Sequence, residues 1–300
     1  MDENKGLSMG ALTAAVVTSS IGSGVFTLTS SLAGGAAAGP VLLAWLVVGF
    51  GILMLALSLN NLLQKNPEAE GVQAYAQAGF GNFAGFVSGW GYWLSAWLGN
   101  VAFATVLMSS LGYFFPLFKG GQNVPSVILA SVVSWGLTYI VNRGVESAAA
   151  MNTIITICKL IPLFTFIVVG IFVFKGGMFT AHFWSNVSSG VAGGANIWTQ
   201  FKSCLMIMMW VFVGVEGASM LSSRAKSKSE AGRATIIGII CLLIIYVLAS
   251  VLPYGYLSQD ALAKINQPAM LYIFQDMVGT WGGALSLIHI SEPTRPISIS

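Results

Sequence analysis

Long apolar runs separated by short polar stretches dominate this sequence. Seven runs reach or exceed the roughly 17–25 residues that a helix needs to cross the apolar core of a bilayer. Within them the apolar residues do not alternate with polar ones, as they would in a membrane β-strand. The pattern predicts an all-α polytopic membrane protein with spans at about 7–37, 40–63, 81–118, 125–141, 152–174, 197–222 and 233–256.

Glycines interrupt two of these runs. The first run contains Gly22-Ser23-Gly24, and the sixth contains Val213-Gly214-Val215-Glu216-Gly217. A helix that breaks at membrane depth leaves backbone groups without partners, which is tolerated only where they face a cavity or a ligand. Paired broken helices are typical of transporter binding sites.

Two charges lie deep inside apolar runs, away from their ends, in a chain that is only 8% charged and 56% hydrophobic. A charge at membrane depth costs a few kcal/mol, so each is a candidate functional residue. Glu216 is expected to have a functional role, against the alternative of a satisfied structural acid. Lys159 is expected to be a structural counter-charge, with a proton relay as the second interpretation and snorkelling as the alternative without function.

The two breaks offer groups of opposite polarity. The start of a half-helix suits a carboxylate, and the flanking glycines allow close approach, so Gly22, Ser23 and Gly24 form a candidate carboxylate cradle. Free carbonyls at the other half-helix ends could accept an ammonium group; these belong to Ser20, Trp210 and Val213. Together the groups fit the two ends of a free amino acid.

The residues give less support to an enzyme, a channel or a nucleic-acid-binding protein. No nucleophile–base pair or metal-ligand cluster converges in the spans, so neither an enzyme nor a cofactor is expected. No repeated ring of charges indicates a channel. The net charge of +3 comes without a basic stripe, so no nucleic acid partner is expected.

Three motifs carry a resemblance to a known family. The stretch 21–26 resembles the first-helix signature of the amino acid–polyamine–organocation superfamily, and 210–217 resembles the sixth helix of its basic amino acid antiporters. The stretch 91–100 resembles their third helix. The similarity covers the chain to about residue 284 and is closest to bacterial arginine/ornithine antiporters.

The resemblance implies roles for individual residues. Ser23 and Gly24 would hold the substrate carboxylate, while the carbonyls named above would hold its α-amino group. Trp210 would also cover the aliphatic stem. Ser95 and Asn100 would face the distal cationic group, although Asn100 could instead form an interhelical hydrogen bond. Glu216 would be the gating acid linked to Tyr92, and Lys159 would stand where sodium-coupled relatives bind a cation.

The resemblance also implies an architecture, the LeuT-like inverted-repeat fold with five helices per repeat. Residues 1–176 would form the first repeat, and residues 177–284 an incomplete second repeat that stops after the seventh transmembrane helix. Residues 285–300 resemble a translated sequencing adapter and are expected to be a non-native tail.

Basic residues predict the orientation. With the N-terminus inside, seven lysines and arginines face the cytoplasm and four face outward, as the positive-inside rule favours. The expected function is arginine/ornithine exchange by a multi-pass protein of the cytoplasmic membrane, whose partners are an amino acid substrate and the bilayer. A proton-coupled symporter, an antiporter of another basic amino acid and its decarboxylated amine, and a homodimer remain open.

Overall fold

The computed structural model describes residues 8–22, 24–66, 71–143, 145–186, 196–212 and 228–287. All the regular elements in these ranges are helices. The first seven α-helices are α1 Met9–Ser20, α2 Gly24–Gly35, α3 Ala38–Lys65, α4 Gly71–Phe80, α5 Asn82–Leu111, α6 Val124–Arg143 and α7 Val145–Val173. The others are α8 Gly176–Ala181, α9 Ile197–Val211, α10 Lys228–Val251, α11 Gln259–Lys264, α12 Ala269–Val278 and α13 Thr280–Leu287, with 3₁₀ turns at Pro116–Phe118 and Leu252–Gly255.

The helices confirm the all-α class. Three described segments are long and apolar enough to cross a membrane: Ala38–Leu62, Asn82–Leu111 and Gly232–Gly255. Four shorter segments of 10–17 residues are also apolar: Met9–Thr18, Val124–Tyr139, Lys159–Val173 and Ala269–Val278. The first predicted span is divided into α1 and α2, as its glycines indicated.

The third predicted span differs from its expected bounds. α5 ends at Leu111, and Pro116, which has no N–H to donate, then begins a 3₁₀ turn. Before α5 lies α4, a helix that the pattern did not predict. Gly81 joins α4 to α5 with φ near +87°, a conformation that glycine adopts without steric cost.

The chain divides into two compact units. The first contains Met1–Gly22, Leu42–Trp97 and Leu205–Val247. Within it α10 approaches α1 closely, because a Cβ atom on Gly238 would lie 2.7 Å from Val16 Cγ1. An aromatic cluster of Trp45, Phe212 and Tyr246 lies in the same unit, with ring centroids 5.3–6.4 Å apart.

The second unit contains Ser23–Val41, Leu98–Cys204 and Leu248–Ser300. In it α2 packs against α11 and α12, and α7 packs against α6, α12 and α13. Phe166 and Phe274 meet edge to face at 5.8 Å in its core. The predicted inverted repeats at 1–176 and 177–284 and the predicted tail stay predictions, and residues from 288 onward lie outside the described ranges.

Candidate functional site

The break in the first span begins where α1 ends at Ser20. Ile21 leaves the helical conformation with φ −73° and ψ 99°, while its N–H still donates to the Val17 carbonyl. Helical structure resumes at Gly24, and both Gly22 and Gly24 are buried. Ser23, the remaining residue of the predicted carboxylate cradle, lies outside the described residues. The chain therefore has a helix C-terminus and a helix N-terminus in close succession inside an apolar segment.

Tyr246 of α10 caps the carbonyl end of α1. Its hydroxyl donates to the Ser20 carbonyl at 2.8 Å and also to the Val211 carbonyl at 3.1 Å. Val211 is the last residue of α9, so one hydroxyl serves the C-terminal ends of two helices. These carbonyls have no partner within their own helices, and the phenol satisfies part of that need.

Ser20 contributes a second polar group at the same place. The residue is only 1% exposed, and its Oγ has no hydrogen-bond partner among the described residues. A buried hydroxyl without a partner costs roughly 1–3 kcal/mol. The end of α1 therefore has more hydrogen-bonding capacity than the described protein groups use.

A hydrogen bond near each end of α9 marks where the helix begins and where it stops. Asn196 caps its start, since the Asn196 Oδ1 accepts from the Thr199 N–H at 2.9 Å. Phe212 follows its last residue, and the Phe212 N–H donates to the Met209 carbonyl at 3.3 Å. Trp210, in the last turn, is 39% exposed. The second predicted break lies outside the described residues, together with Val213 and Glu216.

The candidate residues of the third helix lie along α5. Tyr92 and Ser95 are exposed and belong to the first compact unit, whereas Asn100 is half-buried and belongs to the second. The tryptophans near them, Trp90, Trp93 and Trp97, form a row on the exposed surface of α5, with ring centroids 5.1 and 6.0 Å apart. The three side chains therefore pack on one another.

Lys159 lies in the middle of α7 and is only 4% exposed. A snorkelling lysine would extend its ammonium toward the membrane surface, so this burial disfavours that interpretation. Three residues later, Pro162 removes a backbone N–H from the helix. The structure therefore places a buried lysine next to a weakened part of α7.

Sequence reasoning missed Tyr246. The residue lies in the run 239–248, where every neighbour is apolar, and nothing nearby marks the residue as functional. The available signal was its own chemistry, because a buried tyrosine hydroxyl usually finds a hydrogen-bond partner. That partner could not be identified locally, since Tyr246 and Ser20 are 226 positions apart.

The part of the chain that the structure describes contains no cluster of metal-ligating side chains. No group of three or more His, Cys, Asp or Glu side chains there could hold a metal ion. What this part offers instead is a set of backbone and hydroxyl oxygens at the end of α1, followed along the chain by the N-terminal end of α2.

Comparison with known proteins gives one family match and several close relatives. The family model described as amino acid permease matches residues 7–290. An arginine/ornithine antiporter from Latilactobacillus sakei is 69% identical over 279 residues, which cover 93% of this chain and 58% of that protein. An arginine/ornithine antiporter from Pseudomonas aeruginosa is 44% identical over 285 residues, covering 95% of this chain and 58% of the relative.

An arginine/agmatine antiporter from Chlamydia caviae is more distant. It is 40% identical over 284 residues, which cover 94% of this chain and 58% of the relative. The chain thus spans about three fifths of the length of the curated relatives that it matches.

Proposed function

The chain belongs to the amino acid permease family, a family of multi-pass membrane proteins, and from this premise we propose that the whole carrier exchanges arginine for ornithine. The single observation that carries the proposal is the buried interruption between α1 and α2. Its groups match the two charged ends of an amino acid. Relatives with 44–69% identity to this chain are named arginine/ornithine antiporters, which supports the substrate pair.

The backbone recognises the part that all amino acids share. The positive end of the α2 dipole suits the substrate carboxylate, which Gly22, Ser23 and Gly24 would cradle. The negative end of α1 suits the α-ammonium. The carbonyls proposed for this group belong to Ser20, Trp210 and Val213.

Side chains recognise the distal cation. The exposed indole of Trp210 would cover the aliphatic stem of arginine or ornithine. Ser95 and Asn100 would accept hydrogen bonds from the guanidinium or the terminal ammonium. Such polar acceptors serve both substrates, because each carries a cationic group at the end of a flexible stem.

Three further residues would control the cycle. Glu216 would act as the gating acid linked to Tyr92. The buried ammonium of Lys159 would act as a fixed counter-charge, so that no inorganic cation is needed. With the N-terminus in the cytoplasm, substrate binding would favour closure of the site and alternating access to the two sides.

Counterflow in proteoliposomes tests this function. Arginine and ornithine each carry one net positive charge at neutral pH, so one-for-one exchange moves no net charge. Labelled arginine uptake should require internal ornithine and should be insensitive to membrane potential. Uptake into empty vesicles driven by a pH gradient would instead favour proton symport and would contradict the proposal.

One observation favours a second candidate. Relatives at about 40% identity carry the name arginine/agmatine antiporter. Agmatine carries two positive charges at neutral pH, so its exchange with arginine would move net charge. The same vesicles, loaded with agmatine, distinguish the two. Faster arginine uptake against agmatine than against ornithine, with strong dependence on membrane potential, would support this second function.

A further inference from the structure

Helix α9 has one buried and one exposed face. Gln200, Cys204 and Met208 follow one another at four-residue intervals and are buried. Residues four apart lie one above the other on a helix, so a second row with this spacing defines another face. That row is exposed, and we call it the Lys202 face; its members are Trp198, Lys202, Met206 and Trp210. It extends from the start of α9 to Trp210, the residue proposed to cover the substrate stem.

Polar residues are concentrated in the first half of α9. The stretch 199–203 contains Thr199, Gln200, Lys202 and Ser203, whereas 204–209 is entirely apolar. Lys202 is the only charged residue of this helix. A charged side chain within a membrane segment is costly against lipid and usually faces the bundle interior or a water-filled cavity. The start of the Lys202 face therefore suits an aqueous entrance that leads toward Trp210.

An aromatic ring holds the ammonium of Lys202 in place. The Nζ atom lies 5.7 Å from the centroid of the Trp198 ring, which in turn stacks on Phe201 at 5.5 Å. The face of an aromatic ring attracts a cation without neutralising it. Lys264 differs, because the carboxylate of Asp260 pairs with its ammonium at 2.6 Å. The charge of Lys202 therefore stays available to act on ions that pass along this face.

Building on the proposed function, we infer that Lys202 is a specificity-determining residue at the entrance to the site, where its charge slows doubly charged amines more than singly charged amino acids. Coulomb repulsion increases in proportion to the charge of the entering ligand. Arginine and ornithine each carry one net positive charge, whereas agmatine carries two. Lys202 acts on the ligand as it enters and need not touch the bound substrate. Its presence favours arginine and ornithine as the exchanged pair over arginine and agmatine.

Three ligands of different net charge test this inference. At neutral pH 5-guanidinopentanoate has no net charge, arginine has one positive charge and agmatine has two. Lys202→Gln removes the cation and keeps a polar side chain at an exposed position, so the fold should be unaffected. The measurement is the association rate constant of each ligand, followed by stopped-flow tryptophan fluorescence of the whole carrier in detergent at low salt.

The effect of Lys202→Gln should increase with ligand charge. For each ligand, the ratio of the variant rate constant to the wild-type one cancels the differences between ligands that do not involve Lys202. We expect ratios of about 1 for 5-guanidinopentanoate, about 3 for arginine and about 10 for agmatine, because each further ligand charge adds the same repulsion.

Two further variants are the controls. Lys202→Arg keeps both the charge and the contact with the Trp198 ring, and it should keep the wild-type rate constants. Lys119→Gln removes the same charge from an exposed position after the 3₁₀ turn at Pro116–Phe118, away from α9. It should change each rate constant by less than about 1.5-fold, which separates a local effect of Lys202 from a lower net charge of the whole protein.

The salt dependence of the wild-type carrier tests the inference without any variant. Salt screens the repulsion between exposed charges. Raising the salt concentration from about 10 mM to about 500 mM should therefore accelerate the association of agmatine most, that of arginine less and that of 5-guanidinopentanoate not at all. In Lys202→Gln this order should disappear.

Each result has one interpretation. Equal ratios for all three ligands, or no change for any of them, overturn the inference and leave arginine exchange standing; a lysine that only anchors α9 at the membrane surface would give the second result. The same graded response in Lys119→Gln overturns the assignment to Lys202. A wild-type carrier that binds neither arginine nor ornithine overturns the proposed function, and the inference with it.

Discussion

The C-terminal ends of α1 and α2 are satisfied in different ways. At the end of α1, one tyrosine hydroxyl serves Ser20 O and is shared with a second helix, while a buried serine hydroxyl stays without a partner. Around the end of α2, three carbonyls each have their own donor. Those donors are Gln259 Nε2 for Ala33 O, Asn186 Nδ2 for Gly35 O and the Tyr254 hydroxyl for Ala36 O.

We infer from this difference that the end of α2 anchors the fold and that the end of α1 binds the substrate. Gln259 also donates to Asn186 Oδ1 at 2.6 Å, so the donors around the end of α2 form a network. A connected hydrogen-bond network stabilises one arrangement of its members. A helix end with spare acceptors has capacity left for a ligand. The end of α2 is therefore expected to govern stability, and the end of α1 to govern substrate affinity.

The largest effect is expected from the aromatic cluster at the end of α1. Trp45 is 2% exposed and packs against Phe212 and Tyr246. Trp45→Ala should lower the free energy of unfolding by about 3–5 kcal/mol and should also abolish measurable arginine binding, because the Tyr246 ring loses its support. Thermal unfolding and equilibrium binding in detergent measure the two effects.

Trp97 provides the matched control for this substitution. It stacks on Trp93 but is largely exposed, so Trp97→Ala should cost less than about 1 kcal/mol and leave binding intact. Equal losses for the two tryptophan variants would mean that the cluster around Tyr246 has no special role.

A smaller effect, confined to stability, is expected around the end of α2. Gln259→Leu leaves the Ala33 carbonyl and the Asn186 side chain without this donor, and should cost roughly 2–4 kcal/mol of unfolding free energy. The Kd of arginine for the folded fraction should stay within about twofold of the wild-type value. Gln64→Leu, at an exposed position near the end of α3, is the control. A large loss of arginine affinity without loss of stability would reverse the proposed division of roles.

The sequence predicted part of this contrast and missed the rest for a physical reason. Gly22 and Gly24 marked the break locally, because glycine tolerates an interrupted helix. The capping partners could not be predicted in this way. Tyr246 and Gln259 each lie 226 positions from the residue that they cap, and only the tertiary fold brings such residues together.

For the candidate residues that lie on single helices, the sequence likewise could not predict the tertiary contacts. Lys159 was conspicuous because a charge stands out in an apolar run; the structure shows that it is buried, and its role as a counter-charge stays a prediction. Trp210, Ser95 and Asn100 were selected through resemblance, and their substrate contacts stay predictions. The end of α5 at Leu111 was misjudged because the apolar pattern continues past the residue where the helix stops.

The smallest expected effect is a change in stability at alkaline pH that comes from the contact between Tyr256 and Asp276. Tyr256 lies just after the third long apolar segment, Gly232–Gly255. Burial raises the pKa of Tyr256 above its ordinary value, and the hydrogen bond to Asp276 and the charge of that carboxylate add to the increase. The stabilisation from this raised pKa is fully present below the ordinary tyrosine pKa of about 10 and is lost as the pH rises through the higher folded value.

Tyr256→Phe tests this pH dependence. The variant should show a smaller decrease in melting temperature than the wild type between about pH 9 and pH 11. Tyr139→Phe, at an exposed tyrosine of α6, is the control. Identical alkaline profiles for wild type and Tyr256→Phe would exclude this contribution.

The proposed contact between the end of α1 and the substrate can be measured directly. Solid-state NMR of the carrier, with ¹³C at the Ser20 carbonyl and ¹⁵N at the α-amino group of bound arginine, reports the distance between these atoms. A hydrogen bond from the ammonium to Ser20 O places them about 4 Å apart. The account predicts strong dipolar dephasing at Ser20 and none at the Ala36 carbonyl; bound arginine that leaves the Ser20 signal undephased would contradict it.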